Sequence, residues 1–424
     1  MTGPVGAEEA MPRSRICLLH PFDPRGSKVG GLETYIRDFI GFHPPDVDIL
    51  MIGVDGRGDL TLGEVHPVTF RDRTFDLIPI LHYPDDRARE AARSMRESIT
   101  TQFCLALLRN FAAVARAIRS RRCSVDLRRV EYAWVPVLLR APYVQMLHGE
   151  GTPKLQMDSL LRKYPFVHGL GERLAVATCR KFLCVNPYIT ARLRETYPRY
   201  RDKIDTLSTW ANTEIFKPLP MPDATDTFRI AFAGRLDEFK NPPLMFATIA
   251  RLRERLACKV ELHYIGTSNP ERFAEFAPIA DVTVRHGFKD AAGIAETFAG
   301  AHAGILTSSF EGMPRCVLEM LAVGRPVVAV HLPQLHVVIR DGESGFIVPR
   351  GPSDDAMAER LADRFVALRD SIMRGALDPV AIARLVEPFT PRTQLARVFH
   401  IHREIQPTPT GGADGAGRAA GRRA

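Results

Sequence analysis

The chain has 424 residues, about three times the ~150 that serve as a single-domain prior, so two sizeable domains or one very large one are expected. A composition 45% hydrophobic and 25% charged is that of an ordinary globular protein and excludes a disordered, collagen-like or integral membrane chain. Lysine and arginine exceed aspartate and glutamate by 57 to 49, a net charge of +8, and the seven cysteines are odd in number and lack a Cys-x-x-Cys pair, which supports neither a disulfide framework nor a zinc site.

No run reaches the ~18 apolar residues that cross a bilayer; the most tempting stretch, Trp134 to Leu147, is interrupted by Pro136, Arg140 and Pro142. The start, MTGPVGAEEAMPRSR, carries two acids and no apolar block, so no signal peptide is read and a cytoplasmic protein is expected. Charge is concentrated: from Arg87 to Arg140 there are twelve arginines against four acids. Such a segment is a solvated helix face, a patch for an anionic membrane, or a nucleic-acid surface. The absence of a zinc finger, RNP motif or basic-region heptad disfavours nucleic acid.

Arg15 to His20 is a short apolar run, hence a buried strand, followed by a loop with Pro21, Pro24, Gly26, Gly30 and Gly31. Helical spacing then starts near Leu32 and continues through Tyr35, Ile36 and Phe39. Asp48 to Val54 reads as a second strand, Ile99 to Ile118 as one helix, and Pro142 to His148 and Lys181 to Val185 as further buried strands. Lys203 to Asp226, with Pro218, Pro220 and Pro222, is expected to link two domains. Beyond it the alternation is regular. Strands are predicted at Arg229–Ala233, Lys259–Ile265, Val282–His286, Gly304–Thr307 and Pro326–Val330. Helices are predicted at Pro242–Leu256, Ala291–Ala301, Pro314–Val323 and Asp354–Leu368. The fold class is therefore α/β: two Rossmann-like domains facing across a cleft, with ligand expected at the carboxyl edges of both sheets. The expected division is 1–208, 209–385, a helix at 386–406 packing back on the first domain, and a disordered Gly/Ala/Pro-rich tail at 407–424.

Four features at predicted strand ends carry chemistry. In EGMPRCVLE, Glu311 to Glu319, a buried strand opens into a helix, with Pro314 suited to the first helical position and Gly324 to the stop. Backbone N–H groups near Arg315, Cys316 and Val317 and the positive helix end suit a pyrophosphate. Glu311 and Glu319 would flank it, each able to accept two hydroxyl hydrogen bonds from a vicinal diol. Past the strand before Gly234, Arg235 and Lys240 are two cations placed to neutralise a departing diphosphate; the plainer reading pairs them with Asp237 or Glu238. Gly30, Gly31 and Glu33 form a loop whose bare backbone permits close approach of a phosphate or sugar, or simply turns. His148, in LHGEG, is placed to hydrogen-bond a sugar hydroxyl or share transition-state charge, or is a structural loop residue. Asp46 and Asp48 form a D-x-D before a strand and are read as loop residues rather than a metal site.

Together these segments resemble the GT-B fold glycosyltransferases of the retaining family four type. The likeness rests on GGLE at Gly30–Glu33, GRLDEFKNP at Gly234–Pro242, SSFEGMPRCVLEMLAVGRPVVA at Ser308–Ala329 and DGESGFIVP at Asp341–Pro349. It is dense in the second half and sparse in the first. The resemblance implies transfer of a hexose-type sugar from a nucleotide-diphosphate sugar with retained configuration, without a metal or other cofactor. It places Arg235 and Lys240 on the donor diphosphate, Glu319 on the ribose, and Glu311 with Gly312, Met313 and Pro314 on the transferred sugar. Gly31 would close over the phosphates and His148 would lie near the sugar. The expected acceptor is a saccharide or lipid-linked saccharide of polysaccharide, lipopolysaccharide or glycolipid synthesis, with an anionic inner membrane face as partner and no nucleic acid. A non-catalytic nucleotide-sugar or polysaccharide-binding subunit and a sugar-nucleotide epimerase are the alternatives. The chain departs from the family at Thr209, Trp210, Ala211 and Asn212, where a glycine is replaced by Trp210 and the loop needs another backbone path, since a positive φ is costly for a bulky residue.

Overall fold

The computed structural model describes residues 13–26, 30–84, 94, 96–148 and 165–406. Arg87, Arg89, Arg93, the LHGEG residues after His148 and the tail expected to be disordered lie outside the described residues.

The first sheet contains β1 (Ser14–Leu19), β2 (Val47–Asp55), β3 (His66–Phe70), β4 (Arg73–His82), β5 (Ser124–Leu127), β6 (Tyr143–Leu147), β7 (Lys181–Cys184) and β8 (Ile204–Thr206). Their order is β3-β4-β2-β1-β5-β6-β7-β8, parallel throughout except for β3 on β4. Its helices are α1 (Gly31–Gly41), α2 (Ile99–Arg109), α3 (Phe111–Ser120), α4 (Trp134–Leu139), α5 (Pro165–Thr178) and α6 (Pro187–Thr196). The second sheet, β11-β10-β9-β12-β13-β14, is built from β9 (Thr227–Ala233), β10 (Lys259–Ile265), β11 (Thr283–Gly287), β12 (Ala303–Leu306), β13 (Val327–Val330) and β14 (Gly345–Val348). It is flanked by α7 (Pro242–Arg255), α8 (Ala291–Gly300), α9 (Arg315–Ala322), α10 (Asp354–Met373) and α11 (Pro379–Arg384). Central strands such as β12 and β13 are buried along their whole length, which is why they read as unbroken apolar runs rather than alternating ones.

Three expectations need correction. The helix predicted over Ile99 to Ile118 is two helices, α2 and α3, parted at Asn110, where the backbone leaves helical values (φ −102°, ψ 16°) and the side-chain amide shares the Ala106 carbonyl at 2.9 Å. The predicted linker from Lys203 contains β8, which pairs with β7 and extends the first sheet. Pro314 occupies the position before α9 rather than its first turn, whereas Gly324 stops the helix at φ +78°, as a left-handed closing residue does.

Two cores underlie the two sheets. The first runs as far as Trp210 and takes in Leu395, Val398 and Phe399; the second runs from Ala211 to Val386. The three returning residues belong to α12 (Pro391–Ile405), which leaves the second lobe and lies on the first. There His402 is fully buried between the Ser124 hydroxyl at 2.9 Å and Asp126 at 3.1 Å, and Arg403 forks onto Asp46. Asp48, read from the sequence as a loop residue, lies in β2 and pairs with Arg13 at 3.3 Å. Both carboxylates of the D-x-D therefore sit at the amino-terminal end of the sheet, away from its ligand-facing edge.

At that edge Asp55, 1% exposed, knots the loop after β2. Its carboxylate accepts the N–H groups of Arg57, Gly58 and Leu60 at 3.0–3.1 Å and a guanidinium bond from Arg25 at 2.9 Å. Burial favours the neutral acid, but these donors outweigh it and hold Asp55 below its ordinary value of 3.8. Stability from this carboxylate is thus present above the unfolded-state value and disappears as pH falls through the folded-state one. Asp55→Asn is expected to lose about 1–3 kcal/mol near neutrality, with the gap from the parent shrinking in acid. Urea titrations at a series of pH values check this, and a gap independent of pH refutes it.

Candidate active site

The second lobe brings Lys240, Glu311, Cys316 and Glu319 together at the carboxyl ends of β9 and β12. Gly234 ends β9 at φ +148° and lets the chain turn away, after which Leu236 seats the loop in the core. Lys240 then points back, its Nζ 2.7 Å from Glu311 Oε1. Both side chains are only 15% exposed, and Ser308 Oγ donates to the same carboxylate oxygen at 3.0 Å. Burial alone lowers the Lys240 ammonium, but Glu311, with Cys316 and Asp237 nearby, more than offsets this and leaves its pKa above the ordinary value. The lysine is a fixed cation at neutral pH.

Arg235 behaves differently. Its side chain is 77% exposed and pairs with Asp237 at 2.8 Å, the plainer arrangement for this residue. Within α9, Arg315 lies 3.5 Å from Glu319. Burial pushes the Glu319 carboxyl up, and Arg315 pulls it back only in part. Burial likewise raises the Cys316 thiol to about 12, so it is a neutral, inert group at the helix tip. Of the N–H groups expected to face a pyrophosphate, that of Val317 is already taken by the Pro314 carbonyl at 3.2 Å. Arg315 and Cys316, at the first two helical positions, keep theirs outside the helical ladder.

The first lobe meets this cluster directly. The Asn186 amide, just past β7, donates to the carbonyls of Gly312 at 2.9 Å and Glu311 at 3.4 Å while its oxygen caps α6 through Ile189. Thr209 Oγ1 donates to the Met313 carbonyl at 3.2 Å, and Gln334 reaches the Glu311 carbonyl from the second lobe at 2.9 Å. A Cβ on Gly312 would stand 2.9 Å from Val185 and 3.6 Å from the His148 carbonyl. Glycine is required there because the two lobes touch at that point. Asn186 and Gln334 were not found from sequence: each is a single amide in a loop, with no spacing that marks it.

His148 follows β6, its ring edge-on to Tyr35 at 5.1 Å and its Nε2 buried without a hydrogen-bond partner. Burial, reinforced by Arg128 and Arg129, holds the imidazole well below its ordinary pKa. A neutral ring with an unpartnered Nε2 is set to hydrogen-bond. Gly31 opens α1, and a Cβ there would meet no atom within 4 Å, whereas one on Gly30 would collide with the Glu33 carboxylate. Tyr35, one helical turn after Gly31, links this loop to His148. Among the described residues no group of three or more His, Cys, Asp or Glu is placed to hold a metal ion.

Two parallel-sheet lobes with a cation, a carboxylate and a helix tip gathered where they meet define the GT-B class. Sucrose-phosphate synthase from Thermosynechococcus elongatus has the same fold over 93% of this chain and 99% of that one, with TM-score 0.66 at 18% identity. The Anabaena HepE protein, solved in complex with UDP and glucose, is similar over 92% and 100%, with TM-score 0.61 at 12% identity. Residues 227–365 match the family described as glycosyl transferases group 1. The D-inositol 3-phosphate glycosyltransferase of Paenarthrobacter aurescens (strain TC1) is 28% identical over 233 residues, which is 51% of this chain and 57% of that protein. The family match falls within the second lobe, and the chain spans little more than half the length of this curated relative.

Proposed function

We propose that the chain is a retaining glycosyltransferase that moves a hexose-type sugar from a nucleotide-diphosphate sugar to a saccharide or lipid-linked saccharide, in the cytoplasm at the inner membrane face. The observation that carries the reading is the buried Lys240–Glu311 pair at 2.7 Å beside the amino-terminal end of α9. As the bond from the anomeric carbon to the diphosphate breaks, negative charge grows on the leaving oxygen. Lys240 and the Arg315 and Cys316 N–H groups are the donors fixed in place to receive it. Glu311 orients the lysine and accepts sugar hydroxyls, and Glu319, three to four residues further along the helix than those N–H groups, accepts ribose hydroxyls. Arg235, exposed at the rim, adds a second cation once it exchanges Asp237 for phosphate. The acceptor hydroxyl attacks from the face the diphosphate leaves and gives its proton to the departing diphosphate, so configuration is retained. The names of the relatives, a sucrose-phosphate synthase, an inositol phosphate glycosyltransferase and a protein holding UDP and glucose, support a nucleotide-sugar donor.

A thermal-shift panel of nucleotides and nucleotide sugars tests the reading, because a ligand bound only by the native state raises Tm by mass action. One nucleoside diphosphate and its sugar conjugate are expected to stabilise the chain, and transfer to acceptor to disappear in Glu311→Ala. A folded protein that no member of the panel stabilises overturns it.

A further inference from the structure

We propose that the helical layer α2–α5 of the first lobe is a docking face for an anionic lipid bilayer; the proposal deepens the reading of a membrane-face acceptor and rests on it. These four helices cover one side of the sheet. They lie in the connections β4 to β5, β5 to β6 and β6 to β7, which all move in the same direction across the sheet, and right-handed crossovers place such helices on a common face. Contacts agree: Phe111 of α3 stacks on Trp134 of α4 at 6.0 Å, and α4 packs on α5. Helices α1 and α12, which touch one another, belong to the other side.

This layer exposes leucine. Leu105 and Leu108 on α2 are 47% and 58% exposed, Leu138 on α4 60%, and Leu170 on α5 64%. None is needed by the core, which these connections fill with Phe103, Leu107, Val114 and Ile118. Along these helices the exposed charge is basic, with the exposed acids Glu97 and Glu195 at the borders of the layer, before α2 and on α6. Among the described residues from 99 to 178 there are nine arginines and three acids, and the acids are withdrawn. Asp126 is buried against Arg128 at 2.6 Å, Glu172 is buried and accepts from Tyr197 at 2.8 Å, and Glu131 is half-buried. Arg109, Arg116, Arg119, Arg140 and Arg173 are exposed.

Isolated exposed leucines are ordinary and a basic face alone is ambiguous. Leucines beside arginines, with no exposed acid among the described residues of α2–α5, match a surface that takes both groups at once. The leucines enter the boundary between headgroups and acyl chains while the guanidiniums remain at the lipid phosphates. A nucleic acid has no use for the leucines. Helices α4 and α5 also flank β6, the strand that His148 follows, so a bilayer on this layer lies against the wall of the acceptor lobe.

The test is co-sedimentation of the full chain with sucrose-loaded vesicles of phosphatidylcholine, alone or mixed with phosphatidylglycerol. Binding is expected only to the anionic vesicles and is expected to fall with salt. Each arginine near the surface contributes about fivefold in affinity, so Arg109→Ser, Arg116→Ser, Arg119→Ser and Arg140→Ser combined are expected to weaken binding at least a hundredfold. Leu105→Ser with Leu108→Ser is expected to remove what binding survives high salt, with Tm unchanged in both variants. Equal binding to neutral vesicles, no binding, variants that bind like the parent, or a preference for duplex DNA over anionic vesicles overturns the docking face. The thermal shift with nucleotide sugar, run on the same proteins, separates the two proposals. A retained shift without vesicle binding removes the docking face alone; vesicle binding without any shift removes the sugar-transfer reading instead.

Discussion

Lys240→Ala is expected to lower kcat/KM for sugar transfer by about 100- to 1,000-fold, the range seen when one fixed electrostatic donor is removed from a growing anion. Two effects add. The departing diphosphate loses the only described ammonium within reach of Glu311, and the Glu311 carboxylate, 15% exposed, is left with Ser308 and no cation where the diphosphate must come. Glu311→Gln should cost less, because the amide keeps an acceptor and removes the repulsion. The double variant should fall far short of the product of the single losses, since the two side chains act as a unit. Arg235→Ala is expected to do less than Lys240→Ala, because its guanidinium is exposed and must reorganise before it meets substrate. Steady-state kinetics of the parent and the four variants with one donor and one acceptor decide the matter. If Arg235→Ala is the more damaging, or the paired losses simply multiply, then the buried pair is not where the leaving charge is received.

What the sequence disclosed differs between the lobes for physical reasons. In the second lobe the central strands β12 and β13 are buried along their whole length and stand out as apolar runs, and the half-buried β10 still reads as a strand from its alternation. Asn241 and Asp290 cap α7 and α8 through Leu244 and Gly293, which fixed the predicted helix starts to the residue. In the first lobe the β3–β4 hairpin went unread. Its turn places Arg71 and Asp72 at φ +47° and +59°, a conformation usually signalled by Asn-Gly or Asp-Gly, and here the side chains give no such signal. Arg71 is held there instead by a long-range bond to Asp38 at 2.9 Å. The candidate site shows the same division. Glu311, Lys240 and Glu319 sit at strand and helix ends and could be located from periodicity. The Asn186 clamp across the lobes could not, because its partners, the carbonyls of Glu311 and Gly312, are 125 and 126 residues away in the chain.

Trp210→Ala is expected to be the most destabilising single change in the crossing between lobes, at about 3–5 kcal/mol. The departure from the family pattern at this position is a structural element rather than a strained loop. Trp210 is fully buried, does not adopt a positive φ, lies 4.4 Å from the Tyr35 ring and donates its Nε1–H to Asp38 at 2.8 Å. Tyr35 in turn supports Arg128 at 3.8 Å on its ring and His148 at its edge. Removing the indole opens a cavity beneath the ring that positions His148 and takes one hydrogen bond from the Asp38 carboxylate, which is 1% exposed. Trp210→Phe separates these effects. It keeps most of the apolar contact and lacks the N–H, so it should lose about 1–3 kcal/mol, the cost of leaving a buried acceptor unpaired. Denaturant titrations followed by circular dichroism give both differences without relying on the fluorescence of Trp134, the one tryptophan left. Because the His148 ring rests on Tyr35, each variant should also lower kcat at saturating donor more than it raises the donor KM. A Trp210→Phe protein as stable as the parent would show that Asp38 is adequately satisfied by Arg71 and that the indole serves only to fill space.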